Sequence, residues 1–82
     1  MGREYKYTTV KLKRYKVAEM IARRDKTINR FSIDNDISPG VLYCLLAGTK
    51  KRTTVLTAVR IADALGVLVD DIVEREEIVE TD

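Results

Sequence analysis

The chain has 82 residues, 45% hydrophobic and 34% charged, a balance that suits one small folded domain with a modest core and sets it apart from disordered chains. One cysteine and no histidine exclude an internal disulfide, a cysteine–histidine zinc site and a Ser-His or Cys-His nucleophilic pair. The formal charge of +2 conceals an asymmetry: residues 1–30 carry ten Lys or Arg against three acids, a balance of +7, and residues 31–82 carry five against ten, a balance of −5.

Near the N-terminus, "REYKYTTVKLKRY" alternates in part, with Tyr5, Tyr7 and Thr9 on one parity, which predicts a short strand near residues 4–10. No apolar stretch follows the basic start as a secretory signal requires, and none nears the ~20 residues of a membrane span. "LKRYKVAEMIARRD" predicts the first helix, with Val17, Met20, Ile21 and Arg24 at helical spacing and Ala18 and Ala22 small enough for close packing. "KTINRFSIDND" predicts a short second helix. Thr27 suits its N-cap, Ile28 and Phe31 share a face, and Asn35 and Asp36 tolerate the turn that ends it. "SPGVLYCLLAG" predicts the third: Ser38 as cap, Pro39 at the first helical position, Gly48 as the left-handed stop. Val41, Leu42, Leu45 and Leu46 form its core stripe. After the basic loop "TKKRTT", Thr53 or Thr54 caps a fourth helix, "VLTAVRIADALG", whose predicted buried face is Val55 or Leu56 with Val59, Ala62 and Leu65. "VLVDDIVERE" is a short fifth helix with Asp70 and Asp71 in its favourable first turn. Ile78 and Val79 allow the acidic tail "EEIVETD" a strand, paired with the N-terminal one.

Helices two and three are joined by "DNDI", which is short enough to force a sharp crossing. That is the helix-turn-helix arrangement, in which the second helix of the pair is offered to a major groove. Thr27, Phe31 and Ser32 in "TINRFS", Ile37 and Ser38 in "DIS", Leu42, Leu45, Ala47 and Gly48, and the ending "IADALGVLVDDIV" stand in the order and spacing of a known family. Residues 17–73 resemble the Cro/C1-type helix-turn-helix family, also called the XRE family. The resemblance implies an all-α, five-helix, lambda-repressor-like domain that binds operator DNA, often as a symmetric homodimer. The expected organisation is a single domain over 1–82, with a core near 11–74.

The resemblance also implies which positions meet DNA. Base contacts fall on Pro39, Gly40, Tyr43 and Cys44, and phosphate contacts on Thr49, Lys50, Lys51 and Arg52. Thr27 and Asn29 at the head of helix two, and Ser38 at the head of helix three, complete the candidate set. The family's phosphate-binding Gln in helix two is Ile28 here. A second departure concerns the outward stripe of helix three, Gly40, Tyr43, Cys44 and Ala47, which has no Arg, Lys, Asn or Gln. Bidentate readout of guanine or adenine from that stripe is therefore unavailable. Three accounts stay open: Tyr43 contacts a base with Gly40 permitting close approach, the basic N-terminal segment or the loop reads bases, or the helix docks on a partner protein.

Each of these residues also has a structural reading. Cys44 suits plain packing, since no neighbour in sequence lowers its pKa. Tyr43 suits half-buried core as well as contact. The charge asymmetry marks a basic face for a polyanion or an acidic partner, or only solvated helical surface. Two functional expectations follow. One is a cytoplasmic, sequence-specific DNA-binding transcriptional regulator of repressor type, without enzymatic activity, cofactor or metal. The other is a helix-turn-helix module that binds a repressor protein as an antirepressor or modulator.

Overall fold

A computed structural model describes residues 2–5, 9–75 and 78–81. In chain order it shows β1 (Gly2–Tyr5), β2 (Thr9–Val10), α1 (Arg14–Ala22), α2 (Ile28–Asp34), α3 (Pro39–Ala47), β3 (Thr53–Thr54), α4 (Val55–Leu65), α5 (Val69–Ile72) and β4 (Ile78–Thr81). Five helices and a pair of terminal strands are the architecture expected from the sequence. β1 and β4 pair antiparallel, with Gly2 opposite Thr81 and Tyr5 opposite Ile78.

The strand expected near residues 4–10 is two strands. β1 ends at Tyr5, residues 6–8 lie outside the described residues, and β2 pairs with β3, Thr9 opposite Thr54 and Val10 opposite Thr53. The basic loop thus ends in a strand that the sequence did not announce. The segment after β2 is held from its other side too. Leu12 bridges to Val73, the Lys13 amide donates to the Ile72 carbonyl at 2.7 Å, and the Glu74 amide to the Lys11 carbonyl at 2.9 Å. This pairing also corrects α5, which stops at Ile72 rather than running to Glu76. Val73 is extended (φ −103°, ψ 140°) because its place is beside Leu12.

The core gathers Val10, Leu12, Val17, Ile21, Phe31, Ile37, Leu42, Leu45, Ile61, Leu65, Ile72 and Val73, all buried. The face of α4 differs from expectation. Ala58, Ile61, Ala62 and Leu65 are buried, Val55 and Val59 are half-buried, and Leu56 is 62% exposed. α4 is apolar on more than one side, so periodicity alone allows several faces. Its contacts with α5, β2 and β3 select the one that is used.

Helix ends follow local chemistry. The Arg30 amide donates to the Thr27 hydroxyl at 3.1 Å and the Thr57 amide to the Thr54 hydroxyl at 3.2 Å, each satisfying a first-turn donor. Three arginines reach carbonyls at or just beyond helix C-termini: Arg14 to Leu46, Arg24 to Leu65 and Arg60 to Asp36. A cation there answers orphan carbonyls and the negative end of the helix dipole.

Gly48 closes α3 at φ +87°, and a Cβ built there would collide with the Arg14 guanidinium. Gly48→Ala should cost about 1–2 kcal/mol, chiefly from forcing an L side chain into the left-handed region. Arg14 can swing away, so its displacement adds little. Urea denaturation of the variant checks this; unchanged stability would mean the glycine is not needed there.

Candidate nucleic-acid interface

The α2–α3 pair is fixed from within. Phe31 is 1% exposed and Leu42 is fully buried, so the two helices share one apolar seam. Ser32 is buried, and its hydroxyl donates to the Ile28 carbonyl at 2.8 Å, leaving no unmet polar group in that seam. The turn is built by Asn35, whose amide nitrogen donates to the Phe31 carbonyl at 2.8 Å, and by Asp36 at φ +57°. Aspartate tolerates that left-handed geometry better than most residues. The Ile37 amide donates back to the Ser32 carbonyl at 2.9 Å, and Ile37 drops into the core.

α3 then presents one side to the interior and one to solvent. Leu42, Leu45 and Leu46 are buried, with Val41 half-buried at the margin of that stripe. Tyr43 is 63% exposed, Gly40 and Ala47 are exposed, and Cys44 is half-buried. Of the two settings open to Tyr43, the structure places it outside the core. Nothing lies within 4 Å of a Cβ built on Gly40, so no neighbour in the fold requires a glycine at this position.

The heads of α2 and α3 meet in a shallow pocket of about 330 Å³, lined by Ile28, Asn29, Pro39, Gly40, Tyr43 and Cys44. Five residues of the candidate set are thus brought to one surface. Ile28, where the resemblance anticipates Gln, lies beside them and makes the pocket floor apolar. Thr27 and Ser38 flank it as the exposed caps. The Ser38 hydroxyl accepts the Val41 amide at 3.5 Å, a long bond that leaves it available to another donor.

The cations at the head of α2 are already engaged. Lys26 Nζ lies 2.8 Å from Asp34 Oδ2, and Arg30 Nε lies 3.3 Å from Asp34 Oδ1. The hydrogen bond from Lys26, with the charge of Arg30 behind it, holds the Asp34 carboxyl below the usual carboxylate range. A folded pKa below the unfolded one gives stability that is present above the unfolded value and is lost as pH falls through the folded one. Melting temperatures of the protein and of Asp34→Asn should therefore differ at neutral pH and converge in acid. A constant gap down to pH 2 would show that the carboxylate charge is not what matters.

The loop after α3 is divided in role. Thr49, Lys50 and Lys51 are exposed, and the Lys50 amide closes α3 by donating to the Cys44 carbonyl at 3.1 Å. Arg52 is half-buried and turns toward β2, with Nε donating to the Thr9 hydroxyl at 2.9 Å and Nη2 to the Thr9 carbonyl at 2.7 Å. Its first duty is to tie the loop to the N-terminal strand. Lys50 and Lys51 face a groove of about 670 Å³ shared with Lys11 and Lys13 from the segment leading into α1 and with Arg14 and Lys16 from its first turn. Those N-terminal residues were absent from the candidate set. The signal that finds them is the +7 balance of residues 1–30, which periodicity alone does not resolve into a site.

Among the described residues no group of three His, Cys, Asp or Glu is placed to hold a metal ion. No helix among them is long and apolar enough to cross a membrane. Residues 16–77 match the family described as the Cro/C1-type HTH DNA-binding domain. No curated protein and no solved structure matches the chain.

Proposed function

The chain belongs to the Cro/C1-type HTH DNA-binding domain family, and from that premise we propose that it is a sequence-specific transcriptional regulator of repressor type. The observation that carries this reading is the uncovered face of α3, Gly40 to Ala47, which continues directly into the exposed Lys50 and Lys51. A helix laid in a major groove needs that combination: a face free of the core, and cations where the groove wall rises to the phosphates.

The mechanism is occupancy, with no covalent step. Gly40 and Pro39 let the head of α3 approach base edges closely, and Tyr43 is the one long side chain on the face. Its ring reaches a thymine methyl and its hydroxyl a base-edge acceptor or donor. Asn29, at the mouth of the same pocket, supplies an amide within the site. Lys50 and Lys51 neutralise phosphates, while Arg52, fixed on Thr9, holds their loop in place. The working form is a homodimer in the cytoplasm, one domain per chain, with two half-sites about one DNA turn (~34–36 Å) apart.

Selection of bound sequences from a random duplex pool tests the reading. The expected product is a two-fold symmetric motif, with A·T pairs at the positions facing Tyr43. Uniform recovery of all sequences would reject a sequence-specific role.

A second reading keeps the same surface but changes its occupant to a repressor protein, making the chain an antirepressor. The observation favouring it is the apolar pocket with Ile28 at its floor, together with Lys26 and Arg30 closed onto Asp34. Retention of a purified repressor, with no duplex bound at any salt, would decide for it.

A further inference from the structure

We propose that the groove between α1 and the loop after α3 is the principal phosphate track of this domain, with Lys11, Lys13 and Lys16 gripping the DNA strand beside Lys50 and Lys51. This rests on the DNA-binding reading above and adds three contact residues from a different segment, the stretch that leads into α1 and its first turn.

Two kinds of cation can be separated by their partners. Arg14 donates to the Leu46 carbonyl and the Tyr15 hydroxyl, Arg23 pairs with Glu19, and Arg24 donates to the Leu65 carbonyl. Lys26 and Arg30 share Asp34, Arg52 is bonded to Thr9, and Arg60 reaches the Asp36 carbonyl. These seven are structural. Among the described residues, the ammonium groups of Lys11, Lys13, Lys16, Lys50 and Lys51 form no hydrogen bond or ion pair. All five line the one groove, where Glu74 is the only carboxylate among the described residues.

The placement works against the fold. Lys13 is the N-cap of α1 and Lys16 lies in its first turn, which holds no acid. Cations there face the positive end of the helix dipole and one another. Among the described residues that line the groove, Glu74 alone sets a negative charge against five lysines, whereas a strand of phosphates would neutralise them. A DNA strand fits better than a small anion because the lysines come from two separated segments, 11–16 and 50–51, that line one groove of about 670 Å³. The groove also begins at the end of α3, where a helix lying in a major groove meets the backbone. The head of α2 offers no comparable grip, since both its cations are held by Asp34.

The test is the salt dependence of duplex binding, read by fluorescence titration with the full chain. Five phosphate contacts per protomer predict a slope of log K on log salt of about −4.5 for each bound protomer, about −9 for the homodimer. The triple variant Lys11→Gln, Lys13→Gln, Lys16→Gln keeps the aliphatic stems and should reduce the magnitude by about 2.7 per protomer, at ~0.9 per contact. Selected and unrelated duplexes should weaken by the same factor. Lys26→Gln should leave the slope unchanged. Arginine at the three positions should restore it, which separates lost charge from lost folding, and the three single glutamine variants should each remove ~0.9 per protomer. A triple variant with the native slope overturns the proposal, as does one that loses only the selected sequence. A native protein that binds no duplex in a salt-dependent way overturns the DNA-binding reading itself, a result distinct from the other two.

Discussion

Tyr43→Ala should weaken binding to the selected duplex by about 5- to 150-fold, the ~1–3 kcal/mol of a good base contact, while binding to unrelated duplexes stays nearly constant. The ring is 63% exposed on α3 and stands over a pocket whose other members are short or apolar. Its removal therefore takes away reach without opening a hole in the core, and the melting temperature should hold. Tyr43→Phe divides the effect. Retained affinity would assign the contact to the ring face and a thymine methyl; a loss close to that of alanine would assign it to the hydroxyl. Equal affinity of Tyr43→Ala and the native chain for every duplex would remove Tyr43 from the reading surface. If the variant instead lost only a repressor protein partner, the antirepressor reading would take its place.

Phe31→Ala should have the largest effect on stability, about 3–5 kcal/mol, as expected when a buried aromatic is truncated in a closed core. Phe31 is 1% exposed and packs in the seam that holds α2 against α3. At 82 residues, total stability on the order of 4–12 kcal/mol is expected, so the variant loses a quarter or more of it. The melting temperature should fall by roughly 15–30 °C. Calorimetry gives the shift, and titration well below the new midpoint should show duplex affinity per folded molecule close to native. A loss below ~1 kcal/mol would mean that the α2–α3 seam is not closed around the ring.

These two residues show how differently the sequence speaks about core and surface. Phe31 is legible as core from its spacing with Ile28 alone. Tyr43 is not legible, because a tyrosine satisfies both a half-buried seat and a wet one. Only the rotation of α3 about its axis, set by Leu42, Leu45 and Leu46 entering the core, turned Tyr43 outward.

Helix existence and helix ends were determined locally. Thr27, Ser38 and Thr54 accept first-turn amides, and Pro39 and Gly48 bracket α3, because capping depends on residues within three or four positions. The order of those signals also carried the family, since the spacing of caps and apolar positions is what defines the α2–α3 turn. What lay beyond the sequence depends on neighbours far along the chain. α4 offers apolar side chains on several sides, and its partners in α5, β2 and β3 chose Ala58 and Ile61 over Leu56 and Val59. The early end of α5 follows from Leu12, sixty-one positions before Val73, claiming that residue for a bridge. The basic residues divide in the same way. Composition gives their number and their concentration in residues 1–30, but a lysine and an arginine look alike until their partners are known. Tertiary contacts turned Arg14, Arg24, Arg52 and Arg60 inward to carbonyls and Thr9, where a planar group with several N–H donors can satisfy fixed oxygens. The same contacts left five lysines together and unpaired along one groove, because only folding brings segments 11–16 and 50–51 to face each other.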